Sequence, residues 1–76
     1  MNSNIANKFV LKQDVLNKIN NSIVLAKISA DTGVNFNTLK RQVSKNHEYL
    51  TLYAVLYSIS KHIGTPITKL MQSNNA

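Results

Sequence analysis

Apolar residues recur at three- and four-residue spacing through most of this chain, which is the periodicity of helices that bury one face. The first series, Leu11, Val15 and Ile19, predicts a helix over about residues 8–20. No stretch alternates between apolar and polar residues over enough positions to predict a strand. The pattern therefore predicts an all-α chain.

Two more helices are predicted on either side of Gly33. Ser22 suits the N-cap of a helix over residues 23–32, because its hydroxyl can accept a hydrogen bond from a free N–H of the first turn. Gly33 should end that helix, since glycine adopts the left-handed conformation that a Cβ disfavours. Asn35 is then expected to cap a third helix over about residues 36–45, with Leu39 and Val43 facing inward.

The fourth helix has the strongest apolar series: Leu52, Leu56, Ile59 and Ile63. Its predicted start lies between residues 46 and 51, since Asn46 and Thr51 are both plausible caps. Its predicted end is at Gly64.

Thr65 and Pro66 are expected to open a fifth, very short helix, because threonine suits the N-cap and proline the first helical position. The prediction is thus a compact bundle of five short helices forming one domain over residues 1–76. Its core spans about residues 8–72, and the polar ends, residues 1–7 and 73–76, are expected to fray.

Charge narrows the classes of partner. Nine Lys and Arg against three Asp and Glu give a formal net charge of +6. Such a balance favours a polyanion, because cationic side chains release the counterions condensed on phosphates. Charge alone does not separate DNA from RNA, an acidic protein or an anionic membrane.

The chemistry of catalysis has little support in this sequence. The three carboxylates, Asp14, Asp31 and Glu48, lie in separate segments, and His47 and His62 are far apart in sequence with no cysteine to complete a metal site. We therefore expect no enzyme, no cofactor and no metal. No apolar run approaches the ~18–20 residues of a membrane helix. No export signal is recognisable either, so a cytoplasmic, nucleoid-associated protein is expected.

The spacing around Gly33 is the most specific feature of the sequence. Small residues, Ser29 and Ala30, stand near the end of the second helix, where a crossing helix would approach closely. Gly33 supplies a turn, and Val34 follows as a lone apolar residue. With the two inward residues of the third helix, this spacing is typical of a helix-turn-helix.

With these residues the chain resembles the phage repressor/Cro-like (XRE-type) helix-turn-helix family, whose members have a lambda-repressor-like domain. The segment over residues 56–70, with Ile63, Gly64 and Leu70, resembles the closing part of that domain, so the likeness covers about residues 14–71. The chain departs from the family in having Ser29 where many members have alanine. It also lacks an evident Gln or Thr near the start of the motif's first helix, and its linker over residues 44–50 is less rich in glycine.

The resemblance implies a DNA-reading surface on the third helix. The family's base-reading positions correspond to Phe36, Asn37 and Arg41. Arginine pairs with guanine and asparagine with adenine in the major groove. Phe36 has two open interpretations, contact with thymine methyl groups or packing in the core. The neighbouring residues expected to contact DNA phosphates are Asn35, Thr38, Lys40, Ser44 and Lys45.

A tyrosine stripe, Tyr49, Tyr53 and Tyr57, follows the fourth helix at four-residue spacing. One interpretation places Tyr53 half-buried in the core with the other two flanking it. The other makes Tyr53 and Tyr57 a dimer contact, since proteins of this type bind two half-sites about one DNA turn apart.

The function that these features predict is a sequence-specific regulator, most simply a phage or mobile-element repressor that binds double-stranded DNA as a homodimer. An alternative is an antitoxin-like or adaptor module whose main partner is a protein, because the same scaffold serves both purposes. A third is a nonspecific binder of nucleic acid or anionic surfaces, driven by charge.

Overall fold

Four α-helices and a small two-stranded sheet make up the computed structural model, which describes residues 8–74. The fold is mostly helical, as the periodicity predicted, but it is not a bundle of five helices. The α-helices are α1 (Gln13–Ile19), α2 (Ser22–Thr32), α3 (Phe36–Lys45) and α4 (Tyr53–Ile63). The strands are β1 (Lys8–Leu11) and β2 (Met71–Asn74), and short 3-10 turns lie at Glu48–Thr51 and Ile67–Lys69.

The first predicted helix was wrong at its beginning, where the chain forms β1 instead. β1 pairs antiparallel with β2, with Lys8 opposite Asn74 and Leu11 opposite Met71. The Lys12 N–H donates to the Leu70 carbonyl at 2.9 Å, which continues the contact beyond the ladder. Both strands have only four residues and come from opposite ends of the chain. Local periodicity therefore had no means of detecting them.

The fifth predicted helix is also wrong. Ile67–Lys69 forms a single 3-10 turn after Pro66, and the chain then enters β2. Ser73 and Asn74 belong to that strand, so the predicted C-terminal tail begins too early. The rest of that tail and the predicted N-terminal tail, residues 75–76 and 1–7, lie outside the described residues.

The helix ends follow capping chemistry with two corrections. Gly33 and Gly64 end α2 and α4 in the left-handed conformation, with φ of 76° and 72°. Asn35 caps α3, as predicted. The cap of α2, however, is Asn21 rather than Ser22: the Asn21 side chain accepts from the Val24 N–H at 2.9 Å.

Neither predicted cap starts α4, which begins after Leu52 without a side-chain cap. Asn46 instead ends α3 in the left-handed conformation, and its amide exchanges two hydrogen bonds with the backbone of Leu11, at 3.3 and 3.1 Å. Thr51 donates to the Glu48 carbonyl at 2.6 Å within the 3-10 turn. Leu52, the first residue of the predicted apolar series, lies just before α4 and is 57% exposed.

One apolar core joins all of these elements. It holds α2 against α4 and α3, and it holds β1 against the 3-10 turn Glu48–Thr51. Each helix contributes two to four buried side chains. The core residues are Leu11, Val15, Leu16, Ile19, Leu25, Ile28, Leu39, Val43, Leu50, Val55, Leu56, Ile59 and Leu70.

Candidate nucleic-acid interface

α3 has two faces of opposite character. Leu39 and Val43 are buried in the core and fix the helix to the rest of the domain. On the opposite face, an open depression is lined by Asn37, Lys40, Arg41 and Ser44. Within residues 8–74, these four side chains have no hydrogen-bond or ion-pair partner. The sequence predicted this division of faces, and the structure brings the four polar residues together.

The turn between α2 and α3 is held by side-chain hydrogen bonds. The Ser29 hydroxyl donates to the Val34 carbonyl at 2.6 Å. The Thr32 hydroxyl donates to the Ile28 carbonyl at 2.8 Å and accepts from the Val34 N–H at 3.2 Å. These bonds fix the entry of α3 relative to α2. The sequence indicated only that Ser29 is small, and no local pattern predicted the role of Thr32.

Asn35 is committed to the start of α3. Its side-chain oxygen accepts from the N–H groups of Asn37 and Thr38, at 2.8 and 3.3 Å. Those two N–H groups are therefore already satisfied and are not free to bind a phosphate. Because the side-chain oxygen of Asn35 already accepts these two bonds, only its exposed amide nitrogen is available to a phosphate.

The three predicted base-reading residues have different surroundings. Asn37 and Arg41 are exposed on the outer face of α3. Phe36 is only half-exposed and packs against the core. Of the two interpretations of Phe36, packing against the core is the one that agrees with the structure. The outer face of α3 thus presents an amide and a guanidinium group, with the aromatic ring at its inner edge.

The predicted phosphate contacts form a cationic region without acidic residues. Lys40, Ser44 and Lys45 are exposed, and Thr38 is half-buried. The chain contains no acidic residue between Asp31 and Glu48, so no carboxylate lies on α3 itself. A helix with this charge attracts phosphate oxygens from any nearby polyanion.

Asp31, at the end of α2, makes its contacts with α4 and not with α3. One carboxylate oxygen accepts from the Ser58 hydroxyl at 2.8 Å and lies 2.8 Å from His62 Nε2 and 3.2 Å from Lys61 Nζ. Ser58, whose hydroxyl makes the first of these bonds, is buried. The bond from Ser58, with those from His62 and Lys61, lowers the pKa of Asp31 from 3.8 to about 2.

This cluster joins α2 to α4 and was not predicted from the sequence. Asp31 and His62 are 31 residues apart, and only the packing of α2 on α4 brings them together. Nothing in the sequence around Asp31 or His62 indicates that the two side chains meet. In the described part of the chain, no group of three or more His, Cys, Asp or Glu side chains has metal-site geometry.

The tyrosine stripe is not part of the core. Tyr53 is 70% exposed and Tyr57 55%, so the half-buried interpretation of Tyr53 is wrong. Their rings are stacked, with the ring centroids 6.2 Å apart. Tyr49 belongs to the 3-10 turn rather than to α4, and its ring meets His47 edge-on at 4.6 Å. The tyrosines follow helical spacing in sequence, but the break at Leu52 separates the first from the other two.

Among residues 8–74, no helix combines the length and the apolar character that crossing a membrane requires. Comparison of the chain with protein-family models, with curated proteins and with solved structures finds no match. The candidate interface therefore depends on the chemistry and placement of its own residues.

Proposed function

We propose that this chain is a sequence-specific DNA-binding regulator with a lambda-repressor-like helix-turn-helix, in which α3 enters the major groove. The observation that carries the proposal is the division of α3. Leu39 and Val43 anchor one face in the core, while the opposite face presents unpartnered amide, guanidinium and ammonium groups. A major groove is wide enough to admit one helix, and these groups match its donors and acceptors.

Two side chains would read bases. Arg41 suits a bidentate contact to guanine O6 and N7, and Asn37 suits adenine N6 and N7, each contributing about 1–3 kcal/mol of discrimination. The buried anchor of α3 and the hydrogen-bonded turn before it hold both side chains on a rigid element. Such support is what a specific contact requires.

The other polar residues of the region would set position without reading sequence. Lys40, Ser44 and Lys45 contact phosphates in this proposal, with Thr38 at the side of α3 and the Asn35 amide at its start. The exposed, stacked pair Tyr53 and Tyr57 would serve as the contact between two copies bound to adjacent half-sites, as a homodimeric repressor needs.

Salt-dependent DNA titration tests this function. Duplexes of random and defined sequence are titrated with the wild type, Arg41→Ala, Lys45→Ala and the control Lys18→Ala, whose side chain is exposed on α1. Arg41→Ala should reduce the preference between sequences. Lys45→Ala should weaken binding to every duplex alike and lower the salt slope by about one.

The outcomes separate three functions. Equal loss on all sequences from both α3 variants would exclude specific reading and leave a charge-driven binder. Folded protein that binds no duplex at near-physiological salt would favour the antitoxin-like or adaptor function. A specific observation supports that second function: large apolar side chains are exposed outside α3 at Phe9, Ile23, Tyr49, Leu52, Tyr53 and Tyr57.

A further inference from the structure

A second depression lies beside the C-terminal half of α3, where the chain turns toward α4. Its volume is about 190 Å³, several times the ~30 Å³ that one water occupies in the liquid. A tetrahedral oxyanion therefore fits within it. We call it the His47 pocket, and it is lined by Thr38, Arg41, Gln42, Lys45, His47 and Tyr49.

The His47 ring has a defined proton arrangement. The Tyr49 N–H donates to His47 Nδ1 at 3.1 Å. A backbone N–H can only donate, so Nδ1 is the acceptor and the proton of the neutral ring is on Nε2. The Tyr49 ring, edge-on at 4.6 Å, restrains the imidazole further. His47 is therefore a preorganised Nε2–H donor at the wall of the pocket.

The remaining polar groups of the pocket are donors or can act as donors. Arg41 and Lys45 carry positive charge, and Thr38 and Gln42 offer a hydroxyl and an amide. No carboxylate is among the lining residues. A set of this kind is suited to a ligand with several acceptor oxygens and negative charge.

The end of α3 would ordinarily repel an anion, because its last carbonyls carry partial negative charge. Here two of those carbonyls are occupied. The Gln42 carbonyl accepts from the His47 N–H at 2.9 Å, and the Val43 carbonyl accepts from the Asn46 N–H at 3.2 Å. This lessens the repulsion, and the exposed side chains of Arg41 and Lys45 add positive charge at the pocket.

We infer that the His47 pocket binds one phosphate group, with His47 Nε2–H as an uncharged donor beside Lys45. Arg41, which the proposed function assigns to a base, joins them only where the ligand is free phosphate. Two sources share this chemistry. One source is a backbone phosphate of duplex DNA, and this part of the inference rests on the proposed function. The other source is free inorganic phosphate, and this part is independent of the proposed function.

One substitution separates the two roles of His47. In His47→Asn, the side-chain oxygen can still accept from the Tyr49 N–H, whereas the amide N–H₂ of the shorter side chain does not reach the position of Nε2. His47→Ala removes both. Comparison of the two variants therefore distinguishes a phosphate ligand from a residue that only caps the 3-10 turn, and thermal unfolding shows whether each is folded.

The first measurement uses inorganic phosphate as the probe. It is titrated into the protein at one fixed pH, with chloride at matched ionic strength as the control. Backbone amide NMR signals of Gln42, Lys45 and Tyr49 should shift saturably with phosphate and not with chloride. Loss of one hydrogen bond in His47→Asn should weaken binding roughly tenfold.

The second measurement uses duplex DNA. His47→Asn should weaken binding by a similar factor without changing the salt slope, because a neutral donor displaces no counterion. Lys45→Gln, by contrast, should lower the slope by about one. Phosphate binding with duplex affinity unchanged in His47→Asn would identify free phosphate as the ligand and exclude the DNA source.

Other outcomes distinguish the two proposals. Saturable phosphate binding by a protein that binds no duplex would leave the pocket standing and overturn the DNA-binding function. Non-saturable shifts, together with duplex binding that His47→Asn leaves unchanged, would overturn the pocket and leave the DNA-binding function intact. Loss of phosphate binding in His47→Ala alone would show that His47 acts only as a cap.

Discussion

α3 and α4 both bury an apolar face, but they use their polar residues differently. On α4, Ser58, Lys61 and His62 are all directed to one carboxylate, that of Asp31 on α2. On α3, the outward amide, hydroxyl and cationic groups find no such partner among the described residues. Polar groups that already satisfy one another stabilise the fold, whereas unpartnered ones on a rigid helix remain available to a ligand. This difference is the reason that we propose α3, and not α4, as the element that contacts a ligand.

The largest effect should come from breaking the anchor of α3. Leu39 is fully buried, so Leu39→Ala should lower the free energy of unfolding by about 2–5 kcal/mol, through lost burial and the cavity that remains. Urea unfolding measures this loss. The adjacent exposed variant Lys40→Ala should change stability by less than about 0.5 kcal/mol. Equal losses in the two variants would contradict the assignment of faces.

Asn37→Ala should change recognition and not stability. Its side chain is exposed and unpartnered, so removal should cost about 1–3 kcal/mol of preference for one base pair, provided that α3 reads the major groove. Competitive binding with singly substituted duplexes measures the preference. An unchanged preference at every base pair would remove Asn37 from the reading surface.

Asn35→Ala should have an intermediate effect on stability, because it frees two N–H groups at the start of α3. We expect a loss of about 1 kcal/mol, which lowers Tm by roughly 4–8 °C in a domain of this size. Ser22→Ala is the matched control, because Asn21 and not Ser22 caps α2. A larger loss in Ser22→Ala than in Asn35→Ala would contradict the capping assignment.

The Asp31 cluster on α4 should produce a pH-dependent effect. Because the pKa of Asp31 is lowered to about 2, its ionised form stabilises the fold above the ordinary range near 3.8. This stabilisation is lost as the pH falls through about 2. Asp31→Asn should therefore lower Tm at neutral pH, and its difference from the wild type should shrink as the pH approaches 2. Asp14→Asn, on α1, is the control, and a Tm difference that persists at pH 2 would exclude this cause.

The smallest effect on stability is expected from the outward tyrosines of α4. Tyr53→Ser/Tyr57→Ser should leave Tm nearly unchanged, since both rings are mostly exposed. It should reduce the number of protomers bound per duplex from two to one, as measured by analytical ultracentrifugation. Ile23→Ser, at a similarly exposed residue of α2, is the control. Two protomers per duplex in the tyrosine variant would place the dimer contact elsewhere.

The sequence predicted the elements whose signals are local. α2 and α3 follow from periodicity with Gly33 and Asn35 as boundaries, and the polar outer face of α3 follows from the positions of Leu39 and Val43. These features depend on residues within one or two turns of each other. Local patterns determine such contacts directly.

The features that the sequence did not predict are contacts between distant residues. Strand β1 exists because it pairs with β2, whose residues lie sixty or more positions further along the chain. Asn46 is a residue type typical of helix N-caps, yet its side-chain amide forms hydrogen bonds with the backbone of Leu11. The partners of Asp31 and the pocket beside His47 likewise require the folded arrangement of several elements.

Selection from a random duplex library tests the central claim, that α3 reads DNA sequence, most directly. Wild type and Arg41→Ala are each mixed with the library at near-physiological salt, and the retained duplexes are sequenced. The wild type should retain a recurring half-site with one G·C pair at which Arg41→Ala becomes indifferent. Identical sets retained by both proteins, or no duplex retained by folded wild type, would contradict the claim.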